Sequence, residues 1–342
     1  MIALKHKNIK SSYYFKNLIL ILIPRIFYRS RLKSKLNKIK NYNRDDILYR
    51  VNYYNKINNQ FRVSSKSIKN RALFTRQLTK IKENVIKKNT TYFFDLYNIF
   101  SFFSSDKQLD FIFGDVAETP ATPSIVKSRL IHNSNNSIIL NLNKVRHFHF
   151  IKNDRKFKNK KNAAVWRGWA NSCKICTNKN RCSHRCGRGS KARQYFLENY
   201  HHVPIFDIGQ TTFVNEPWFK GFMSIYDQLS YKFIFCIEGV DTATSIKWVM
   251  SSNSICVMPK PKYETWFMEG KLEANIHYIE VNDDFSNAEE KIKHYIKNTD
   301  EGLRIIENAN DYVNQFKDSE KEKLISLLVL DKYFSMSGQH NA

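Results

Sequence analysis

Three stretches of this chain hold residues whose types and spacing could do chemistry. The first is 231–281, YKFIFCIEGVDTATSIKWVMSSNSICVMPKPKYETWFMEGKLEANIHYIEV. Residues 231–237 are almost continuously apolar and end at Glu238-Gly239. Such a run suits a strand buried on both faces. Gly239 then permits a tight turn and a close approach to the backbone. Asp241, Thr242 and Thr244 offer oxygens for a helix N-cap, and Ile246, Val249 and Met250 give that helix an apolar face. Strand, glycine turn, helix, strand is the unit that sets a helix N-terminus beside an anion, although any α/β core contains such units. The second stretch is the loop 115–128, which follows a strand-like run at 110–114 and carries Pro120 and Pro123. A strand end opening into such a loop is a place for a chemical group. The third is Cys173-x2-Cys176-x5-Cys182-x3-Cys186, with His184 inside. Four thiols this close, among Lys and Arg, look like a small structural zinc knuckle. The spacing is not that of a standard finger pair, so free or redox-active thiols stay open as the other reading.

These groups need a scaffold. A chain of 342 residues has length for two domains with two cores. Residues 137–142, 163–166, 254–258 and 277–281 read as further strands, and 287–297, 301–316 and 320–334 as helices. In 301–316 the face is marked by Leu303, Ile306, Tyr312, Val313 and Phe316. The aromatic run 91–103 is strand or buried helix, and the polar, basic run 147–162 is the best candidate linker. Strands and helices alternate in both halves, so the expected class is α/β, two domains facing a cleft.

The net charge is +25, and residues 1–90 hold 23 Lys and Arg against Asp45, Asp46 and Glu83. A basic region of this kind points to an anionic partner: a membrane surface, nucleic acid or a phosphorylated glycan. Lys, Asn and Ile are abundant throughout, so compositional drift is the competing reading. Cys236 and Cys256 fall in apolar strands and read as small core residues. Cysteine usage does not match a secreted disulfide framework and fits a reducing cytoplasm. The aliphatic run 18–23, LILILI, is far shorter than the roughly 20 residues a bilayer span needs. No small-residue cleavage site follows it. With Tyr13, Tyr14, Phe15, Phe27 and Tyr28 around it and basic residues on both sides, it is either a monotopic contact with anionic lipid or a buried N-terminal helix.

The wording of the 231–281 block resembles glycosyltransferase family 90. That family includes bacterial lipopolysaccharide core transferases, capsule proteins with the CAP10 domain and animal protein O-glucosyltransferases. The residues that carry the resemblance are Glu238-Gly239, Asp241, Ala243-Thr244, Lys247-Trp248, Ser252-Asn253-Ser254, Met258-Pro259-Lys260-Pro261, 263–270 (YETWFMEG) and His277-Tyr278. Phe113-Gly114-Asp115-Val116 with Pro120, Pro123 and Lys127-Ser128-Arg129 fits as well. So do Trp166-Arg167-Gly168 and the run 50–56, RVNYYNK. The resemblance is nearest the bacterial branch and touches most of the chain. It implies two Rossmann-like domains facing a cleft (GT-B type), with a basic helical N-terminal region. Residues 1–90 and 91–160 would form the acceptor side, 161–316 the nucleotide-sugar donor domain, and 317–342 a C-terminal helix. It further implies a UDP-sugar donor, inversion at the anomeric carbon, a lipopolysaccharide core or similar envelope glycan as acceptor, and a cytoplasmic enzyme peripheral on the inner membrane.

Sugar transfer needs a departing diphosphate stabilised and an acceptor hydroxyl deprotonated. No Asp-x-Asp triplet occurs in the chain, so no catalytic metal is expected, and cations with backbone N–H groups must take the leaving charge. Arg167 is the first candidate, because its fork suits a diphosphate, with a structural salt bridge as the alternative. Lys247 and the helix start near Asp241 and Thr244 come second, a solvated helix lysine being the alternative. In the animal members an arginine stands two places before the residue matching Lys247; here that place is Ser245. Gly168 completes the Arg-Gly pair, and Arg193 matches a later family arginine across an insertion. Asp115 is the candidate general base by its loop and its motif, with Glu118 behind it and an Asx turn as the alternative. Lys260, Tyr263, Glu264 and Glu269 would line the donor pocket, or serve only structure. Cys173, Cys176, Cys182 and Cys186 would hold a structural zinc that orders a loop beside that pocket. A basic, zinc-containing nucleic-acid-binding protein is the alternative function, but it leaves the 231–281 block unexplained. A degenerate transferase fold kept as a scaffold is a third reading.

Overall fold

A computed structural model describes residues 10–64, 67–69, 90–170, 188–211 and 216–339. The cluster Cys173, Cys176, Cys182 and Cys186 lies outside the described residues, so the zinc reading is an expectation from sequence alone. The chain divides into two units, Arg146–Gln315 and Ile9–Val145 with Phe316–Ala342.

The unit of Ile9–Val145 and Phe316–Ala342 holds helices α1 (Lys10–Leu22), α2 (Arg44–Tyr54) and α3 (Thr90–Phe100); α2 and α3 pack with the last helix, Ser319–Met336, and α1 is bonded to α3. The ambiguous aromatic run is α3. Phe93, Phe94, Leu96, Tyr97, Ile99 and Phe100 are all buried. A helix covered on every side carries no one-sided pattern, which is why periodicity could not type it. The last helix starts at Asp318, whose carboxylate accepts from Glu320 N and Lys321 N, an N-cap. Its seat is the run 50–56. Arg50 donates to Glu322 Oε1 at 2.6 Å and Oε2 at 2.9 Å, both side chains buried. Asn55 Nδ2 donates to Val329 O at 3.2 Å, and Lys332 Nζ to Asn52 Oδ1 at 2.8 Å. Phe334 packs on Phe100 and Phe103. Strands β1 (Ser124–Val126) and β2 (Ser137–Ile139) pair in parallel, and Phe111 bridges Ile125 in parallel on the other side. Among its described residues this unit shows only short strand groups, not a second five-stranded doubly wound sheet.

The other unit carries a five-stranded parallel sheet of β3 (Lys161–Gly168), β4 (Phe206–Gln210), β5 (Tyr231–Phe235), β6 (Ile255–Met258) and β7 (Ile279–Glu280). The order across the sheet is β4-β3-β5-β6-β7, with Val165 opposite both Asp207 and Ile234, Ile234 opposite Cys256 and Val257 opposite Ile279. The expected α/β class is therefore met by this unit. Every residue of β5 is buried, Lys232 included, as its almost continuously apolar run suits. On the sheet, Phe196 of α4 (Arg188–Tyr200) meets Phe235 at 4.7 Å and Phe285 at 4.5 Å.

Two readings of local structure change. Helix α5 (Ile246–Met250) is five residues long, its first flanking residue is Ser245, and no side chain caps it. Asp241, Thr242 and Thr244 do not cap it, because Gly239 N donates to Asp241 O at 2.9 Å and winds that stretch into a turn. In α7 (Thr299–Asn314), which follows α6 (Ala288–Lys297), the covered face is Gly302, Ile305, Ile306, Ala309 and Val313, while Leu303 is exposed. Gly302 decides this. A Cβ there would lie 3.0 Å from Ile255 Cδ1, so the helix rides on β6 at the glycine.

Candidate active site

The strand order reverses between β3 and β5. Connections leave these two neighbours towards opposite faces, which opens a crevice at their carboxyl ends, where open α/β sheets bind ligands. The ends are Arg167-Gly168-Trp169 and Ile237-Glu238-Gly239. Arg193 bridges them. From α4 its guanidinium donates to Ile237 O through Nη2 at 2.7 Å and Nε at 3.2 Å, and to Trp169 O through Nη1 at 3.2 Å. Phe196, three residues on, is buried on the sheet, so its neighbour one turn back is carried to the strand ends. Gly239 makes the room: a Cβ there would stand 3.1 Å from Arg193 Nη2. The close approach expected of Gly239 is thus an approach by Arg193. A side chain at Gly168 would overlap the Trp166 indole, which gives that glycine a packing role.

Glu238 stands at the same strand end and was not among the site residues expected. Its Oε1 accepts from Lys262 N at 3.1 Å and Tyr263 N at 3.2 Å. Burial pushes its carboxyl up to about 7 against those two donors, and the Glu269 charge adds to the rise. A carboxyl poised between its two forms can accept or donate a hydrogen bond to a ligand hydroxyl. Exposed Trp169 is a second group that sequence reading passed over. Nothing in either residue type signals a role; only the strand order brings them to the crevice. Thr242 Oγ1, also buried beside this turn, has no hydrogen-bond partner among the described residues.

The other expected residues are placed as follows. Arg167 turns along the sheet to Asp207, donating through Nη2 to Oδ1 at 2.7 Å and through Nη1 to Asp207 O at 2.6 Å. Burial works against ionisation of Asp207, yet bonds from Tyr231, Arg167 and Lys220 hold its carboxyl well below the usual range. This is the salt-bridge arrangement that sequence reading kept as the alternative for Arg167. Lys247 is not a solvated helix lysine. It is fully buried and ion-paired with Glu269, itself fully buried, and Glu269 also takes Thr265 N at 2.6 Å and Thr265 Oγ1 at 2.9 Å. The pair ties α5 to the loop 263–271. Asp241 and Glu264 are buried, Tyr263 and Thr244 half-buried, and Lys260 exposed. Arg193, Gly239 and Glu238 are thus brought together at the crevice, while Arg167, Lys247 and Glu269 are joined to structural partners.

In the other unit, Asp115 follows the short parallel strand at Phe111 and Lys127 follows β1, its neighbour. Adjacent parallel strands release their chains at the same end, so the two side chains meet: Lys127 Nζ lies 2.7 Å from Asp115 Oδ1. Lys127 is buried, whereas the Asp115 side chain is 40% exposed. An anchored carboxylate open to solvent has the placement a general base needs. Gly114 before it has φ +108°, which a side chain rarely adopts. Glu118 lies exposed in the same loop.

A bridged crevice at the reversal of a parallel sheet marks the ligand-binding end of a doubly wound α/β domain. Residues 76–334 match the profile of Glycosyl transferase family 90, and the chain belongs to that family. It is a glycosyltransferase. Over 333 residues, 96% of each chain, it is 34% identical to the O-glucosyltransferase LpsA of Dichelobacter nodosus.

Proposed function

We propose that this enzyme moves a hexose from a nucleotide-sugar, a UDP-sugar, to a lipopolysaccharide core or similar envelope glycan, with inversion and without a catalytic metal. The observation that carries the donor side is the Arg193 bridge across the strand ends of β3 and β5, held close by Gly239. In this reading Arg193 and nearby backbone N–H groups face the diphosphate, and Glu238, Tyr263 and Lys260 face hydroxyls or the base. Arg167 with Asp207, and Lys247 with Glu269, hold the strands and the loop 263–271 that shape the pocket. The acceptor hydroxyl gives its proton to Asp115 while its oxygen attacks the anomeric carbon. The bond from that carbon to the phosphate oxygen breaks, and the nucleoside diphosphate leaves with the electron pair. This reading gives the donor to the sheet unit and the base to the other, as a GT-B enzyme would. The name of the relative supports glucose as the sugar and an envelope glycan as the acceptor.

The test is release of UDP from a panel of UDP-sugars, with and without truncated lipopolysaccharide core. Acceptor-dependent release with one sugar is expected. Asp115→Ala should lower kcat by about 100-fold or more with donor binding kept. Arg193→Lys, which loses the fork, should mainly weaken donor use. Full activity in Asp115→Ala would remove the base assignment and leave the transferase. No release with any donor would remove the UDP-sugar reading.

A further inference from the structure

Helix α1 is apolar on its outward side as well as its inward one, unlike a water-exposed helix. Inward, Ile21 is buried and the Tyr13 and Tyr14 rings pack on Phe94, and polar bonds add to this contact. Asn17 is 3% exposed, donates through Nδ2 to Tyr13 O at 2.8 Å and accepts from Asn98 Nδ2 at 2.6 Å. Tyr13 Oη donates to Asp95 Oδ1 at 2.9 Å and Thr91 O at 3.2 Å, and Asp95 also takes Lys144 N at 2.9 Å. Its outward side is Phe15, Leu18, Ile19 and Leu22, spaced i, i+3, i+4, i+7, the spacing of an apolar helix face. Leu22 is 81% exposed and Phe15 69%. The next turn, Arg25–Arg29, continues the patch with Ile26, 70% exposed, and Phe27, while Tyr28 turns inward and donates to Leu20 O at 2.8 Å. A contiguous apolar patch of this kind marks an interaction surface. Around it Lys10, Lys16, Arg29, Arg31 and Lys33 are exposed, and no Asp or Glu occurs from residue 10 to residue 44.

We infer that this face lies flat in the surface of a bilayer containing anionic lipid, with Phe15, Leu18, Ile19, Leu22, Ile26 and Phe27 at the acyl boundary and the basic rim on the headgroup phosphates. A helix of 13 residues spans only about 20 Å, against the roughly 30 Å of a hydrocarbon core, so it lies along the surface instead of crossing it. Among the described residues no helix is long and apolar enough to cross. A second copy on this face would press one cationic rim against another, and the stretch 10–44 supplies no carboxylate to neutralise it. The bonds of Asn17 and Tyr13 to α3 fix the roll of the helix, so the apolar stripe is already presented before any membrane is met. Apolar insertion plus attraction to anionic headgroups is how interfacial helices bind. The inference stands apart from the identity of donor and acceptor.

The experiment is flotation of the full chain with vesicles of phosphatidylcholine alone and with about a third phosphatidylglycerol, compositions chosen to expose the surface-charge attraction. Binding is expected to the anionic vesicles and to fall with salt. Arg29→Gln/Arg31→Gln/Lys33→Gln should weaken it about a hundredfold. Leu18→Ser/Leu22→Ser, which alters only exposed positions, should weaken it at least about tenfold while the circular dichroism stays unchanged. The inference is overturned if the folded wild type does not float with anionic vesicles, or if the serine variant floats as well as wild type. It is equally overturned if light scattering shows a dimer that Leu22→Glu dissociates.

Discussion

Glu238 couples the crevice to pH. Its folded carboxyl sits at about 7, above the ordinary glutamate value of 4.5. A group whose pKa is raised on folding lends stability that is complete below the unfolded value and lost as pH rises through the folded one. The chain should therefore lose up to about 3 kcal/mol between pH 4.5 and pH 8 from this residue alone. Glu238→Gln keeps an acceptor for Lys262 N and Tyr263 N and cannot ionise. Its Tm should match wild type near pH 5 and exceed it near pH 8; a constant difference across that range would contradict the cause given. The pair Lys247 and Glu269 is sensitive in another way. Glu269→Ala leaves a fully buried ammonium without its partner and should cost about 3–5 kcal/mol in urea unfolding. Lys247→Met/Glu269→Leu should recover most of that, because a buried pair gains little over apolar groups of like size.

Elements in this chain are stopped and aimed by single side chains. Asp318 starts the last helix by taking two of its free N–H groups, so Asp318→Ala should cost about 1 kcal/mol with activity intact. Urea unfolding checks the first statement and UDP release the second. Helix α4 is aimed by Phe196 on the sheet, and that aim is what carries Arg193 to the strand ends. Helix α7 is aimed by Gly302, which lets it ride on Ile255. Apolar residues marked α7 in the sequence, but a glycine contributes nothing to an apolar pattern. The face with Leu303 was chosen for that reason, and packing chose the other.

At the scale of the whole molecule, the last helix belongs to the same unit as residues 9–145. Removing residues 319–342 should expose Phe100 and Phe103 and take from Arg50 its Glu322 carboxylate. Hydrogen exchange should then show lost protection across 44–54 and 90–100, with 231–235 and 255–258 still protected. Equal loss in both units would show that the helix supports the entire fold. The run 50–56 finds its explanation here. It looked like a family signature with no chemistry, and it is the strip on which this helix sits.

The amino-acid sequence by itself determined the local menu. The almost continuously apolar run at 231–237 suited a strand covered on both sides, and Gly239 permitted a tight turn and a close approach. The 231–281 block, with its Glu-Gly, Lys-Trp and Tyr-Glu-Thr-Trp-Phe wording, was sufficient for the family. Asp115, placed after a strand by its loop, is a carboxylate at a strand end as expected. What a cation is for could not be read this way. Arg167 and Lys247 had the right type and position, yet one turns to Asp207 and the other to Glu269. A long side chain reaches several ångströms from its Cα, so its partner depends on strands and loops distant in sequence. Only the tertiary structure decided that Arg193 bridges the strand ends, that Glu238 is buried enough to hold its proton near neutrality, and that α1 shows its apolar stripe outward. Each depends on which surface another element covers, and burial is a property of the packed chain, not of any stretch within it.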